Sequence, residues 1–342
     1  MLDKDVKLII NGNEFSNFLG VSIELGIDQI ADGFSFTADW DPAREDLRQI
    51  LQPFQYQKCE VIIGDQKIIT GRIEKISPSW SSSDRLINIQ GRSLTAAIVD
   101  NPVPEKTEYL NLTLAQIANK ICGFYGVKVK ALNDTNPIAI AEADYGQSAA
   151  GFLQKLAAPR NILLNCDAEG ALVISTGKNF GKTAPVAKLE EGMSPLLSMS
   201  SSFDGSARYR IYEAASQVSG LTVKGRAIDD DIKIDRRKYI TVSDVDQDVD
   251  VTAYKCSATG LGDAVKLSGS LAGWHRDDGQ LWNIKQIVNI LSPSAMIYKM
   301  TPWLINKVSL NLDVRSGYTT DFEFVSPEFY SGKLPGDKAW KL

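Results

Sequence analysis

Short runs in which apolar and polar residues alternate fill the N-terminal part of the chain, and glycine or polar turns separate them. Alternation with a period of two predicts β-strands joined by tight turns. Residues 71–100 show this most clearly, because apolar runs around Ile73 and Ile87 flank a turn of serine and aspartate. This stretch predicts a β-hairpin, followed by a short helix at residues 94–99 with Ser93 as its N-cap.

Turn signals place further strands in this N-terminal part. Asn11-Gly12 between two apolar runs is a strong hairpin signal, so residues 6–10 are expected to pair with residues 21–25. Asp41 followed by Pro42 predicts the start of a helix. Strands at short spacing with one helix among them favour a small antiparallel β-barrel, with strands at residues 6–10, 21–25, 34–38, 59–63 and 67–69.

The pattern changes after residue 93, where apolar residues recur with the period of an α-helix. Leu114, Ile117 and Ile121 predict a helix that is capped by Thr113. A second helix is predicted to begin at Ser148. Short strands complete a small α+β module at residues 94–180, and they lie near residues 127–129, 162–164 and 172–174.

The C-terminal part returns to strand patterns, with strands predicted at residues 274–282 and 284–290 and a last hairpin at residues 304–325. The segment Ile73-Glu74-Lys75-Ile76-Ser77 matches Ile305-Asn306-Lys307-Val308-Ser309, and each continues into a polar turn and an alternating strand. Since antiparallel strands share this alternation by default, chance explains five matching residues equally well. If the repeat is real, the chain contains two similar barrels.

These patterns predict a β-rich α+β fold with two similar antiparallel β-barrel domains, an α+β module between them and a further insertion in the second barrel. The predicted modules are a first barrel at residues 1–93, the α+β module at 94–180, a second, discontinuous barrel at 181–225 and 280–330, an inserted module at 226–279 and a mobile tail at 331–342.

Composition narrows the class of protein. A chain of 342 residues with 44% hydrophobic and 23% charged residues is an ordinary globular protein of two or three domains. The net charge of −5 argues against tight nucleic-acid binding. No signal peptide and no stable membrane insertion are expected, because no apolar run approaches about 18 residues. Scattered spacing argues against disulfides or a zinc site and for buried reduced thiols at Cys59, Cys122, Cys166 and Cys256.

Few residues offer catalytic chemistry. His275 is the only histidine and no nucleophile elbow accompanies it, so Ser–His–Asp or Cys–His catalysis has little support. Residues 177–183 resemble a phosphate-binding loop, but one residue is missing between the glycines and Pro185 follows almost at once, which favours an exposed loop. We therefore predict no catalytic, cofactor-binding or metal-binding residues.

Four aspartates alternate with other residues, at Asp244, Asp246, Asp248 and Asp250. On a strand their carboxylates would share one face, which could hold Ca²⁺. The glycine and the closing glutamate of a calcium loop are missing, so a solvated acidic face is favoured and ion binding stays an open question.

Turn and strand segments spread over residues 1–330 carry a resemblance to a known family. They are Gly71-Arg72-Ile73, residues 87–95 with Val99-Asp100, the helix with Leu114, Ile117 and Ala118, Ser148-Ala149, Phe152-Leu153, residues 167–172, Gly273-Trp274, residues 279–282 and Leu304-Ile305. In this order and spacing they resemble the baseplate hub proteins of contractile-tailed phages. This is the bacteriophage Mu-like tail protein family, which is related to the late control protein D group and the T-even central hub.

The resemblance implies a homotrimer in which each chain contributes two barrels to a ring of pseudo-six-fold symmetry. One face would join the six-fold tail tube or a tube-initiating protein, and the other would join the three-fold membrane-piercing spike protein. The tape-measure protein and then DNA would pass through the central channel without specific binding. The resemblance implies a place in the virion's tail baseplate after assembly in the host cytoplasm, with no catalytic residues and no cofactor. The alternative is a tail-associated muralytic hydrolase, for which no pair of carboxylates can be assigned.

Overall fold

The computed structural model describes residues 6–104, 108–133, 135–218, 221–242, 249–331 and 338–340, in two compact units. The first unit contains Met1–Ser175, Leu271–Ile284 and Lys307–Asp321, and the second contains Thr176–Ser270, Lys285–Asn306 and Phe322–Leu342. Antiparallel strands predominate, which confirms the prediction of a β-rich chain. None of the helices in the described residues is long and apolar enough to cross a membrane.

The first unit begins with strands and short helices and continues into a mixed region. The first part contains β1 (Val6–Ile10), β2 (Asn13–Phe15), β3 (Gly20–Gly26), β4 (Gly33–Asp39), α1 (Glu45–Ile50), β5 (Lys58–Ile63), β6 (Gln66–Trp80), β7 (Arg85–Ser93) and α2 (Ala96–Asp100). The mixed region contains β8 (Glu108–Leu112), α3 (Leu114–Phe124), β9 (Val129–Ala131), β10 (Ile138–Glu142), α4 (Ala149–Ala157), β11 (Ile162–Cys166) and β12 (Leu172–Thr176).

The rest of the chain is again rich in strands and contains one longer helix. Its elements are β13 (Ala187–Glu190), β14 (Leu196–Phe203), β15 (Ile211–Val218), β16 (Leu221–Ile228), β17 (Arg237–Val242), α5 (Val249–Ala264), β18 (Val265–Ala272), β19 (Ile287–Ser292), β20 (Ile297–Asp313) and β21 (Gly317–Val325). Strands β20 and β21 each pass through both units.

One antiparallel sheet dominates the first unit. Its strand order is β20–β3–β4–β7–β6–β5–β1–β2, in which residues 307–313 of β20 pair with β3. Alternate residues point into the core, as in β1, where Val6, Leu8 and Ile10 are buried. The order is open at β2, and no sheet in the described residues closes into a barrel, so the predicted barrel closure is not confirmed.

The Asn11-Gly12 turn forms where it is predicted, but the strand that follows it differs. Asn11 and Gly12 have φ values of 49° and 86°, so the chain turns straight back and β1 pairs with the short strand β2 instead of β3. The predicted pairing of residues 6–10 with residues 21–25 is therefore wrong. The hairpins β5–β6 and β6–β7 are confirmed.

The first two helices begin later than the sequence predicts. Asp41 Oδ1 accepts a hydrogen bond from the N–H of Ala43 (2.9 Å), which forms a turn, and α1 begins only at Glu45. Helix α2 begins at Ala96, and Ser93 is the last residue of β7 and not an N-cap.

The two helices of the α+β region begin where they are predicted. Thr113 Oγ1 accepts from the N–H of Gln116 (3.3 Å), and the Gln116 side chain accepts from the N–H of Thr113 (2.9 Å), which completes a capping box for α3. Ser148 Oγ accepts from the N–H of Gly151 (3.1 Å) at the start of α4. The helices contact each other, and α3 contacts β9 and α4 contacts β11 of the sheet β11–β12–β9.

In the second unit, α5 packs against β15 and β16 of a three-stranded sheet with the order β16–β15–β17. The sequence predicts no helix here, and it places Asp250 on an acidic strand. Asp250 instead lies in the first turn of α5, where its Oδ1 accepts from the N–H of Arg226 (3.1 Å). The other three aspartates of that pattern, Asp244, Asp246 and Asp248, lie outside the described residues.

One further prediction for the C-terminal part is wrong, and the structure describes only a few residues of the predicted mobile tail. Residues 274–282 form no strand; they form a loop that follows Gly273 and contains Gly279, whose φ values are 81° and 78°, with an isolated bridge between His275 and Leu281. Of the predicted mobile tail, residues 332–337 and 341–342 lie outside the described residues. Ala339 is buried, and its carbonyl accepts from the N–H of Tyr298 (3.0 Å).

Candidate functional site

Two meanders of three strands have matching proportions near the two ends of the chain. In the first, β5, β6 and β7 contain 6, 15 and 9 residues. In the second, β19, β20 and β21 contain 6, 17 and 9 residues. In both, the central strand is much longer than its neighbours, so it continues well past the end of the preceding strand.

The similar segments at Ile73 and Ile305 begin at the same point of these meanders. Arg72 is the last residue of β6 that pairs with β5, and Leu304 is the last residue of β20 that pairs with β19. Ile73 and Ile305 are the next residues, and both are buried. The two similar segments therefore begin where each central strand extends past the strand that precedes it.

The same two isoleucines make equivalent backbone hydrogen bonds. The N–H of Ile73 donates to the carbonyl of Gln57 (3.0 Å), the residue just before β5. The N–H of Ile305 donates to the carbonyl of Gln286 (2.9 Å), the residue just before β19. The two segments thus share the proportions of their strands and one backbone hydrogen bond each.

Two glycines allow β6 and β7 of the first meander to approach each other closely. A Cβ on Gly71 would lie 2.1 Å from the carbonyl oxygen of Arg92, and a Cβ on Gly91 would lie 2.1 Å from that of Arg72. Both distances are far below van der Waals contact, so β6 and β7 approach too closely there for any side chain. The glycines of the segments Gly71-Arg72-Ile73 and residues 87–95 thus have a structural role.

Arg92 holds β7 to two neighbouring carboxylates. Its Nη1 donates to Asp100 Oδ1 (3.1 Å) and its Nε donates to Glu74 Oε2 (2.7 Å). The hydrogen bonds to Asp100 and Glu74 raise the pKa of Arg92 further above its ordinary value. Since the guanidinium is charged at any working pH, this cluster is a structural clamp between β6, β7 and α2 and not a proton-transfer site.

The turn between β11 and β12 attaches the α+β region to the sheet of the first unit. Asp167 Oδ1 accepts from the N–H groups of Glu169 (3.0 Å) and Ala171 (2.9 Å), which shapes the turn. Thr70 Oγ1 in β6 donates to the carbonyl of Ala168 (2.7 Å). The segment at residues 167–172, which carries part of the resemblance, therefore acts in packing and not in chemistry.

A buried thiol and carboxylate form a second link in the first unit, which the sequence gives no signal to find. The Cys166 Sγ–H donates to Asp32 Oδ2 (2.9 Å), and the N–H of Gly26 donates to Asp32 Oδ1 (3.2 Å). Burial, together with the charge of Asp32, raises the pKa of the Cys166 thiol to about 12. The thiol therefore stays protonated at neutral pH and serves as a hydrogen-bond donor.

The second unit contains a buried ion pair between Arg208 and Asp229. Arg208 donates from Nε (3.1 Å) and Nη2 (2.6 Å) to Asp229 Oδ2, and both side chains are almost inaccessible, at 11% and 2% exposed. Asp231 lies 3.5 Å from the same guanidinium. The pair connects the chain before β15 to the turn after β16, so its role is structural.

The predicted phosphate-loop look-alike is a short 3-10 helix, Gly177–Lys182. A Cβ on Gly177 would lie 2.2 Å from the Cβ of Tyr330, so this glycine is required by close packing. Across the part of the chain that the structure describes, no group of three or more His, Cys, Asp or Glu residues could hold a metal ion.

Two family models match consecutive parts of the chain. Residues 5–93 match the N-terminal domain of the Mu phage baseplate assembly protein GpP-like family, and residues 95–176 match the second domain of the baseplate hub protein gp44-like family. The chain is also 26% identical over 358 residues to the baseplate hub protein gp44 of Escherichia phage Mu, an alignment that covers 98% of this chain and 92% of that protein.

Solved structures show the same fold. The 43 kDa tail protein of prophage MuSo2 from Shewanella oneidensis superposes with a TM-score of 0.80 at 22% identity, over 95% of this chain and 99% of that one. The tail protein from Neisseria meningitidis MC58 gives a TM-score of 0.82 at 20% identity, over 96% and 98% of the two chains.

These matches decide between the structural role and the enzymatic alternative. The matched families and the phage Mu relative are structural baseplate proteins, so the muralytic hydrolase receives no support. The residues that carry the resemblance include ones with packing roles in the fold, as Gly71, Arg92 and Ala168 show. The chain belongs to the family of baseplate hub proteins of Mu-like phage tails, which are structural components of the virion's tail and not enzymes.

Proposed function

We propose that three copies of this chain form a ring that joins the six-fold tail tube to the three-fold membrane-piercing spike. A homotrimer presents three-fold symmetry by construction. If each chain also contributes two similar β-rich units, the ring has six similar positions. One face can then bind a six-fold partner while the other binds a three-fold partner.

The observation that carries this proposal is the match between the two meanders. The strand lengths agree, and the N–H groups of Ile73 and Ile305 donate to the carbonyls of Gln57 and Gln286 in equivalent positions. An internal repeat in a structural protein supplies two similar binding surfaces from one chain. In this proposal residues 1–93 form one of the two similar β-rich domains, and residues 181–225 and 280–330 form the other. Residues 94–180 and 226–279 are the added modules.

The tail tube or a tube-initiating protein, the spike, the tape-measure protein and DNA are the partners in this proposal, and assembly takes place in the host cytoplasm. The tape-measure protein and DNA would pass through the channel without specific binding. The net charge of −5 supports this, since binding to phosphate backbones depends on clustered lysine and arginine. Each predicted barrel would be a curved, open β-unit that becomes part of the ring wall.

Mass measurement in solution tests the proposal. Size-exclusion chromatography with light scattering over a concentration series should give three times the chain mass of 37.5 kDa. Negative-stain electron microscopy of the same sample should show rings with a central hole and six peripheral densities. A protein that remains a single chain at the highest concentration, or a trimer without a hole, would contradict the proposal.

A further inference from the structure

Strand β14 is a sheet edge with little of the usual protection: the short helix at residues 293–295 contacts it, and Ser201 Oγ donates to the carbonyl of Ala295 (2.7 Å). In the described residues it pairs with β18 on one side only. Its eight residues include no charged residue and no proline, and the side chain of Leu197 is 61% exposed. Natural sheets usually protect an edge with lysine, proline, a bulge or a covering segment, because an open edge can add a strand from another chain.

A second open edge lies on β6 in the first unit. Strand β5 pairs with β6 only as far as Arg72, whereas β7 pairs with β6 as far as Trp80. Residues 74–80 therefore have one side that no described strand pairs. Pro78 has no N–H to donate, so residues 74–77 are the part of this edge best suited to a further strand.

The loop at residues 52–57 lies beside this edge and exposes two aromatic residues. Phe54 and Tyr56 have φ values of 65° and 49°, and their exposures are 86% and 55%. A left-handed backbone is uncommon for bulky residues, and such strain is concentrated at binding sites and switches.

The loop and the edge enclose a groove that can hold an apolar side chain. It has a volume of about 140 Å³ and is lined by residues 52–57 and 73–76. An engineered protein cavity of about 150 Å³ holds benzene, so this groove has room for one branched or aromatic side chain. An incoming strand that paired with residues 74–77 would place a side chain at this groove.

We infer that β14 of one copy pairs with the β6 edge of the next copy, with Leu197 in the groove beside Phe54 and Tyr56. A second copy is the occupant because the chain supplies both halves: an uncharged, serine-rich edge with an exposed leucine, and an open edge beside a groove that is lined in part by Phe54, Ile73 and Ile76. The Glu74 carboxylate at that edge is already paired with Arg92 (2.7 Å), so an uncharged strand meets no unpaired acid there.

A contact between two different surfaces of identical chains is head-to-tail, and such contacts close into a ring when the rotation fits. The pairing of β14 with β6 depends on the proposed homotrimer, because three such contacts would close its ring. It also goes further, since it names the two strands that form each subunit boundary.

Disulfide cross-linking tests the pairing directly. Ser77→Cys and Ser198→Cys are introduced into separate chains that also carry Cys256→Ser, and the two proteins are mixed and oxidised. We expect a mixed dimer on a non-reducing gel, with the peptide pair identified by mass spectrometry. The matched control is S77C mixed with S268C, because Ser268 is an exposed serine on the interior strand β18. Equal linkage in the control, or no linkage in a trimeric S77C and S198C mixture, would overturn the pairing.

A charge on the edge gives a second, independent test. Ser200→Lys adds a lysine to β14, and it should convert the trimer to the 37.5 kDa chain while the circular dichroism spectrum stays unchanged. The control, Ser268→Lys, removes the same Ser200–Ser268 hydrogen bond (2.8 Å) from the interior strand and should remain trimeric.

The outcomes separate this pairing from the proposed function. A folded S200K variant that keeps the trimer mass overturns the pairing but not the trimer. A wild-type protein that is monomeric at all concentrations overturns both. If S198C links only after another tail protein is added, β14 binds that protein and the second-copy assignment is wrong. If S200K does not fold, the cross-linking experiment alone tests whether β14 pairs with β6.

Discussion

The backbone of Gly262 in α5 lies directly against the aromatic ring of Phe329. A Cβ at Gly262 would lie 1.9 Å from Phe329 Cδ2, so no other residue fits there without displacing the ring. Gly260 lies one half-turn earlier, where a Cβ would lie 2.6 Å from the hydroxyl oxygen of Tyr212. A glycine inside a helix costs about 1 kcal/mol relative to alanine, and here two are kept because aromatic side chains pack against the helix backbone.

Substitution of Gly262 by alanine should therefore destabilise the second unit despite the better helix propensity of alanine. We expect a loss of about 1–3 kcal/mol in the free energy of unfolding, the usual cost of an overpacked site. Urea unfolding followed by circular dichroism measures it. The matched control is Gly123→Ala in α3, where a Cβ would have no neighbour within 4 Å. It should be neutral or stabilising by up to about 1 kcal/mol. Equal effects of the two substitutions would contradict the packing explanation.

Helix α5 also shows why part of the fold could not be predicted from the sequence. The residues that it buries include Ala253, Ser257, Ala258, Leu261 and Ala264, which have helical spacing but mostly small or polar side chains. A helix is detected in a sequence when large apolar residues recur with helical spacing. Helix α5 buries mostly small or polar residues, so its sequence shows almost no helical pattern. The strands and helices with large alternating or periodic residues were predictable, as α3 and the hairpin β6–β7 demonstrate.

The candidate site also has one part that the sequence predicts and one part that it does not. The resemblance between the segments at Ile73 and Ile305 is visible in the sequence, but the equivalent hydrogen bonds to Gln57 and Gln286 are not. Open edges are equally hidden, because they depend on which strands become neighbours across long stretches of chain. The pairing of β3 with β20 and not with β1 is an example.

Loss of one partner of the buried ion pair should be costly. Asp229→Ala leaves the Arg208 guanidinium, in a site that is only 11% exposed, with just the longer contact to Asp231 (3.5 Å), and we expect a loss of up to about 3–5 kcal/mol in the free energy of unfolding. The matched control is Asp235→Ala, which removes the exposed pair with Arg237 (3.2 Å). Exposed pairs contribute about 0–1 kcal/mol, so the control should change little. Thermal unfolding of both variants measures the two losses. Similar losses would contradict the explanation that burial makes the Arg208–Asp229 pair important.

The thiols should differ sharply in their reaction with a disulfide reagent. Burial raises the pKa of Cys59, Cys122 and Cys166 to about 12, so these three are almost fully protonated at pH 8. Because the thiolate is the reactive form, we expect them to react only after unfolding in urea. Cys256 is partly exposed and should react first in the folded protein. Mass spectrometry of labelled peptides identifies the sites, and rapid labelling of Cys166 in the folded state would contradict its buried bond to Asp32.

The buried thiols also predict how stability changes with pH. Burial raises the pKa of Cys122 from 9.0 to about 12 in the folded state. Above pH 9 the unfolded chain loses this proton while the folded chain keeps it, so deprotonation favours unfolding. The stabilising contribution is therefore complete below pH 9 and decreases until about pH 12, by about 1.4 kcal/mol for each pH unit.

Comparison with Cys122→Ala isolates this contribution from that of the other titrating groups. The variant loses packing at every pH, but it has no thiol to titrate. The difference in unfolding free energy between wild type and variant should therefore shrink by about 1.4 kcal/mol between pH 8 and pH 10. Ile117→Val is the control, because it removes a methylene from the same core without a titrating group, and its difference from wild type should not change with pH. A Cys122→Ala difference that is equally constant would mean that the thiol titrates alike in both states, and burial would then not control its pKa.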